Sequence, residues 1–449
     1  MLTHEELLTT VHDLIDTRDQ AGLIAFATEI GSSEWADILP TLDEEQIAYL
    51  IDALPGEELP DVLAELDPSH AADILMTMPQ TEAADILEAM DPDDATDVID
   101  ELPDREAQQI LIEMEPDEAA EIRELLAFPP DSAGGLMTPS FVAISPDLRA
   151  DQAIGALRKI SEEVETMYYV YVLDPEEHLL GVLSLYRIVL TRGDTPVRDL
   201  MVTDPITIMA DADQETAAAL LTDHNLLALP VVDHDNRLLG IITQDDIADV
   251  LEDEATEDIE RLGGSQPLDV PYRRATIALL FRRRIVWLLF LFAAEAYTGT
   301  VLRHYSAEQV EVVALGWFIP LLTGTGGNIG SQVTTTLVRA MAVGEVRLRD
   351  VRWVLGKELA VGIGLGVVMA GVAFARSQLL HAGTDVGYVV AITVALICVW
   401  SATVAAVLPL LLRKLRVDPA VVSAPLITTL VDGTGLVIYF TIAKWMLNL

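Results

Sequence analysis

Hydrophobic and polar positions follow three different rhythms along the chain. Up to about residue 130 the apolar residues come in small groups parted by acids. Ile74, Leu75 and Met78, then Ile86, Leu87 and Met90, have the spacing of a narrow stripe on short helices. Pro55, Pro68, Pro79, Pro92, Pro103 and Pro116 stand at intervals that alternate between 13 and 11 residues, with Pro60 outside the series. Similar text lies between them: "AADILMTMP", "AADILEAMDP", "ATDVIDELP". A unit of roughly 12 residues, doubled to roughly 24, predicts short helices stacked in pairs into a superhelix. Asp67-Pro68 and Asp91-Pro92 read as helix starts, with the aspartate as N-cap and proline at the first helical position.

The rhythm changes over residues 132–253, where apolar runs of strand length alternate with amphipathic helices. "HLLGVLSLYRIV" closes one unit and "RLLGIITQDDIA" closes the next, with Gly181 and Gly240 in equivalent places. Upstream of each, "YYVYVLD" (Tyr168–Asp174) and "LALPVVD" (Leu227–Asp233) predict strands. The helices "ADQAIGALRKI" and "DQETAAALLTDH" precede them. The stretch is therefore an α/β duplication.

From residue 281 apolar runs take over, in five segments at roughly 285–303, 309–340, 353–377, 386–412 and 418–447. Each is long enough to cross about 30 Å of hydrocarbon, which needs about 20 helical residues. Arg282, Arg283 and Arg284 precede the first segment, Arg339, Arg347, Arg349, Arg352 and Lys357 surround the second loop, and Arg413, Lys414 and Arg416 fill the fourth. The third loop, "SQLLHAGTDVG", has no base except His381. The excess of basic residues on the inner side then predicts a cytoplasmic N-terminus and an external C-terminus. The opening "MLTHEELLTTVHDLID" has neither a basic nor an apolar region of signal-peptide type, which also keeps the acidic half inside.

Charge sharpens this picture. The 449 residues carry 72 acids and 27 bases, yet 51% are hydrophobic, so acid and oil must be segregated. Residues 1–130 alone hold 35 acids and 3 bases. Phosphate backbones would be repelled, which argues against a nucleic-acid partner. Divalent cations are the natural counter-charge; a salt-loving host is the other reading, and four lysines in the whole chain fit it. Cys398 is the single cysteine, so neither a disulfide framework nor a thiolate metal site exists within the chain. No nucleophile–base pair or cofactor fingerprint points to an enzyme.

Four places carry candidate chemistry. In "DDIADVLEDEATEDIERLGG" the residues Asp245, Asp249, Glu252, Asp253, Glu257 and Asp258 recur every three or four positions, on adjacent faces of one helix. Like charges at that spacing destabilise a helix by a few tenths of a kcal/mol per pair, so the stretch is either solvated or holds cations. Asp91, Asp93, Asp94 and Asp97 form a similar run, and oxygen-only clusters suit Mg²⁺ or Ca²⁺ rather than zinc or copper. In "LLTGTGGNIGSQ", Gly324, Gly326, Gly327 and Gly330 permit either close helix packing or a broken helix whose freed carbonyls join Asn328 and Gln332 on an ion path, and Pro320 favours an irregular segment. In "APLITTLVDGTGLVIYF" the lone acid is Asp432. It is a protonated dead end, a proton relay or a cation site. In a symmetric dimer two copies, with carbonyls freed around Gly433 and Gly435, make a doubly negative ring for a hydrated divalent cation.

The second stretch resembles a tandem pair of CBS domains, which bind adenine nucleotides or ions or dimerise. Nucleotide-binding copies pair a Ser/Thr with an Asp that holds the ribose. Thr243 and Asp246 keep that pair, whereas the first copy has Ser184 followed by Arg187. "PLLTGTGGNIGSQ" and "PLITTLVDGTGL", with the domain order, resemble the MgtE family of magnesium channels over essentially the whole chain. The resemblance implies a multidomain protein: an all-α superhelical N-terminal domain (1–131), tandem α/β CBS domains (132–253), an acidic connecting helix (254–280) and a five-helix transmembrane domain (281–449). It implies a homodimeric Mg²⁺ channel in the cell membrane, with Mg²⁺ as cargo and regulator and ATP as a further ligand left open. Asp432 and Gly435 match the family's pore site, lined by Asn328, Gln332, Gly326 and Gly327. The family's regulatory Mg²⁺ contacts fall on Asp93, Asp97, Asp246, Asp249, Glu254, Glu257 and Asp258, with Glu215 and Asp418 joining CBS domain to pore through another ion. Relatives often carry a polar residue where this chain has Ala424. The rival readings are a Na⁺- or H⁺-coupled divalent-cation transporter and a CBS-domain membrane sensor without transport.

Overall fold

In a computed structural model the chain forms two compact units, Met1–Glu252 and Asp253–Leu449. The structure describes residues 4–449 except 28–29, 31–33, 36–37, 43, 52, 55, 57–58, 161–168, 269, 271, 273–274, 307–311 and 416. Pro55, Tyr168, Arg416 and part of the second predicted apolar segment therefore lie outside the described residues.

The first unit begins with short helices: α1 (His4–Asp16), α2 (Gln20–Ala27), α3 (Glu44–Ile51), α4 (Leu59–Ala64), α5 (Pro68–Leu75), α6 (Gln80–Glu88), α7 (Pro92–Asp100), α8 (Asp104–Glu113) and α9 (Pro116–Leu125). The proline rhythm is the rhythm of helix starts. Pro68, Pro92 and Pro116 hold first-turn positions, where a missing N–H costs nothing, while Pro79 and Pro103 are themselves N-caps. Asp67 and Asp91 occupy the predicted N-cap positions, but neither side chain makes a capping hydrogen bond. Ile74, Leu75, Ile86, Leu87 and Met90 all enter one continuous apolar core, with Met78 packed at its edge.

The duplication folds as two matching sheets. β1 (Ala143–Ile144) runs parallel to β2 (Tyr169–Leu173), which pairs antiparallel with β3 (Leu179–Ser184); β4 (Ile208–Met209), β5 (Ala228–Val232) and β6 (Leu238–Thr243) repeat the order. α10 (Ala150–Ile160) and α12 (Gln214–His224) precede the central strands, and α11 (Leu185–Leu190) and α13 (Gln244–Leu262) follow the last ones. Each copy lends an edge to the other, since Thr138 bridges to Ile241 and Val202 to Val182. That crossing explains the paired glycines: a Cβ on Gly240 would lie 2.7 Å from the Thr138 carbonyl, and one on Gly181 would meet the Val202 carbonyl.

The second unit is built from α14 (Ile277–His304), α15 (Ile319–Ala342), α16 (Val351–Leu379), α17 (Thr384–Lys414) and α18 (Ala424–Leu447), which stand at the five predicted apolar segments. Among the described residues three helices are long and apolar enough to cross a membrane: Leu348–Leu379, Thr384–Lys414 and Ala424–Leu447. α15 is diluted by its glycines, threonines and amides, and α14 carries three arginines, Arg282, Arg283 and Arg284, in its second turn. α15, α17 and α18 pack on one another, α16 packs on α17, and α14 lies against α18.

Candidate functional site

The first unit gathers acids onto one face. Asp93 sits in the first turn of α7, held there because Ala95, Val98 and Ile99 anchor the helix in the core. It is only 9% exposed, and among the described residues its Oδ1 has no hydrogen-bond partner. Burial holds its carboxyl well above the usual range, and Asp246 is the strongest of the neighbouring like charges, ahead of Asp94 and Asp91. Asp97, one turn on, is exposed to solvent. Desolvation by the surrounding fold, then Asp246, Asp100 and Glu101, push it up to about 7. Asp91 is raised by burial and by Asp61 and Asp245. Asp249 is raised by burial and by Glu252, Glu65 and Asp245. Acids of the helical repeat thus face acids at the start of α13, and among the described residues no base moderates any of these four groups. A buried carboxylate left in this state is costly unless a cation bridges it.

Asp246 is fixed by local chemistry. The Thr243 N–H donates to Asp246 Oδ2 at 3.0 Å and the Thr243 hydroxyl donates to the same oxygen at 2.8 Å, which ties the Asp246 carboxylate back to the residue before α13. Burial outweighs those bonds and leaves its pKa raised. The Thr/Asp pair associated with nucleotide-binding copies is therefore assembled in the second copy. In the first, Ser184 caps α11 by accepting the Arg187 N–H at 3.4 Å, and the arginine supplies no carboxylate there. Glu215 stands in the first turn of α12 behind its cap, Asp213.

The end of α13 belongs to the second unit. Arg261 forms ion pairs with Glu257 one turn earlier and with Asp418, whose Oδ1 also accepts the Ala420 N–H at 2.8 Å. Asp258 is pushed up to about 6 by burial, then by Asp418 and Glu254, with Arg339 pulling the other way. Asp418 thus already has a fixed cationic partner, which the sequence reading did not foresee.

The glycine stretch resolves in favour of packing. α15 is continuous from Ile319 to Ala342 with Pro320 in its first turn, so the expected irregular segment does not form. A Cβ on Gly326 would lie 2.6 Å from Val431, one on Gly327 would lie 2.8 Å from Thr428, and one on Gly330 would collide with Ile427. The Gly326 carbonyl accepts the Ser401 hydroxyl at 2.6 Å. Asn328 and Gln332 stay on the opposite, exposed face, in a stripe with Gly324, Thr335 and Arg339. α18 is also unbroken, so no carbonyls are freed at Gly433 and Gly435; Gly435 is buried against Ile397. Asp432 is half-buried and its Oδ1 has no hydrogen-bond partner among the described residues. The charged group whose field reaches it is Glu295 of α14, a residue that sequence reasoning passed over although it too is a lone acid in an apolar run.

Comparison with known proteins follows the same lines. A profile described as "Divalent cation transporter" (MgtE) matches residues 319–442, the MgtE intracellular N domain matches 30–131, and the CBS domain matches 197–253. The chain is 39% identical over 328 residues to the magnesium transporter MgtE of Thermus thermophilus, covering 73% of each. It is 34% identical over 331 residues to the protein of the same name from Enterococcus faecalis, covering 73% of this chain and 72% of that one. The crystal structure of the soluble part of a magnesium transporter aligns over 56% of this chain and 100% of its own, with TM-score 0.52 and 32% identity. The cytosolic domain of the Mg²⁺ channel MgtE in complex with ATP aligns over 54% of this chain and 99% of its own, at TM-score 0.52 and 31% identity.

Proposed function

This chain belongs to the MgtE family of divalent cation transporters, and from that premise we propose that it is a homodimeric Mg²⁺-selective channel for magnesium uptake across the cell membrane, closed by intracellular Mg²⁺. The observation that carries the reading is Asp432. It is an acid within an apolar helix, with one oxygen buried and unpartnered among the described residues. A carboxylate inside a span costs roughly 2.5–3.5 kcal/mol on insertion scales and is retained for function. The exposed stripe of Asn328, Gln332 and Thr335 supports the dimer, because such a stripe is unsuited to lipid and suited to a water-filled path beside a second copy. Two Asp432 carboxylates at the axis, lined by Asn328 and Gln332, then attract a hydrated divalent cation; Gly326, Gly327 and Gly435, expected beside them, are instead buried in helix packing.

Closure uses the acid face. Without cations Asp93, Asp97, Asp246 and Asp249 repel one another and the helical repeat swings away. With Mg²⁺ bound the charges are bridged. The ion favours the closed form only by its greater affinity for it, and several sites steepen the response. Glu254, Glu257 and Asp258 carry the effect along α13, and Glu215 and Asp418 are the outer members of the set. ATP is a further ligand of the second CBS copy, at Thr243 and Asp246, in keeping with the relative solved with ATP. The N-terminus lies in the cytoplasm and the C-terminus outside.

The test is patch-clamp recording from proteoliposomes with Mg²⁺ varied on the cytoplasmic face. Wild type closes as that Mg²⁺ rises, and Asp93→Asn and Asp246→Asn stay open at concentrations that shut it. Equal closure of all three overturns the gating scheme. A reversal potential that follows Na⁺ or H⁺ as well as Mg²⁺ makes the protein a coupled transporter.

A further inference from the structure

α14 packs against α18, where Tyr297 and Thr298 meet Gly433; Trp287, Leu291, Ala294, Thr298 and Val301 form one stripe of buried and half-buried residues along α14, and Glu295 is exposed. At 100° per residue Glu295 lies roughly 40° from Leu291 and roughly 60° from Thr298 around the helix. It therefore stands at the edge of that seam rather than on the far side. Across the seam is Asp432, within reach of its field.

Thr298 is the second observation. Most threonines in these helices donate to the carbonyl four residues back: Thr300 to Ala296 at 2.9 Å, Thr325 to Leu321 at 2.7 Å, Thr428 to Ala424 at 3.0 Å. Thr298 does not. It is only 7% exposed, and its Oγ1 has no hydrogen-bond partner among the described residues. That oxygen lies 3.1 Å from where a Cβ on Gly433 would stand, beside the residue that follows Asp432. Gly433 must be glycine because Tyr297 fills the same space. A buried, unsatisfied hydroxyl thus points at the Asp432 turn from the helix that carries Glu295. No lysine or arginine lies in α14 between Arg284 and Arg303 to neutralise the acid.

We propose that Glu295 is a second cation-binding carboxylate of the transport path, acting with Thr298 and Asp432 at the seam of α14 and α18. Two carboxylates and a hydroxyl are the hard oxygen donors that a partly hydrated divalent cation takes. The extra charge raises the local concentration of divalent over monovalent ions. This assignment rests on the transport reading above.

The experiment is uptake into dye-loaded proteoliposomes at low internal Mg²⁺, comparing wild type, Asp432→Asn, Glu295→Gln, Glu295→Asp and Thr298→Val. Loss of one ligand charge should raise the half-saturating Mg²⁺ in Glu295→Gln about tenfold. Its preference for Mg²⁺ over Na⁺ should also fall. Glu295→Asp recovers most of both, and Thr298→Val shifts half-saturation the same way by less. Glu295→Cys supplies a readout independent of flux: external Mg²⁺ slows its labelling by a negatively charged methanethiosulfonate, and the labelled protein regains affinity. Half-saturation and preference in Glu295→Gln within twofold of wild type, or labelling indifferent to Mg²⁺, overturns the assignment while Asp432→Asn still reports on transport. A silent wild type overturns the transport reading itself, and the assignment with it.

Discussion

The acid face in the first unit makes helix α7 more stable as pH falls, and a divalent cation removes that dependence. Asp97 titrates at about 7 in the fold against an ordinary 3.8. At 1.36 kcal/mol per tenfold change in proton affinity the whole difference corresponds to ~4 kcal/mol. It is open to water, so screening leaves ~1–2 kcal/mol. The folded pKa lies above the unfolded one, so the folded state holds the extra proton between the two values. Stability is then fullest below about pH 4 and is lost as pH rises through about 7. Asp93, Asp91, Asp246 and Asp249 are shifted the same way and add to the slope. The assay is amide hydrogen exchange of residues 92–100 in the full-length protein in detergent with chelator, corrected for the intrinsic exchange rate. Opening should become roughly 5–30-fold more frequent between about pH 4 and about pH 8. Millimolar Mg²⁺ should flatten the curve. Asp97→Asn should remove much of the slope and protect the helix at high pH. Protection that is flat or rises with pH in chelator would refute the reasoning.

Other outcomes follow from single contacts. Gly330→Ala drives a methyl into Ile427 and within 2.9 Å of Ser401 Oγ, a collision that costs about 1–3 kcal/mol and lowers the temperature at which the detergent-solubilised protein loses its monodisperse elution. Ser401→Ala removes the 2.6 Å bond to the Gly326 carbonyl and weakens the same packing by about 0.6 kcal/mol, up to about 1.7, measured in the same way. Arg261→Gln leaves Glu257 and Asp418 without their fixed partner; the last turn of α13 then exchanges faster in chelator, and Mg²⁺ slows it more than in wild type. Thr243→Val deprives the Asp246 carboxylate of the hydroxyl bond and loosens the start of α13 by about 1 kcal/mol, read by exchange at residues 244–247.

What was legible in the sequence was what local periodicity controls. The alternation of 13 and 11 residues between prolines located helix starts because proline suits the N-cap and first turn of a short helix, where its missing N–H costs nothing. Gly181 and Gly240 marked the duplication because backbone from the other copy crosses each of them. Asp93, Asp97 and Asp246 were legible from the resemblance, and the geometry sets them against one another. Contacts between distant segments were not legible. Nothing in "GTGGNIG" tells a broken helix from a tightly packed one; that is decided by Val431, Thr428 and Ile427 a hundred residues later. Arg261 looked like an ordinary residue at the end of an acidic run, and only the fold brings Asp418 to it. Glu295 carried the same signal as Asp432, an acid in an apolar run, but no family motif surrounds it.

The central claim is that cations pass Asp432. Its most direct test is Mg²⁺ uptake into dye-loaded proteoliposomes with low internal Mg²⁺, wild type beside Asp432→Ala at matched protein density. The account predicts rapid uptake by wild type and none above empty vesicles by the variant. Equal uptake by both would contradict it and move the path away from α18.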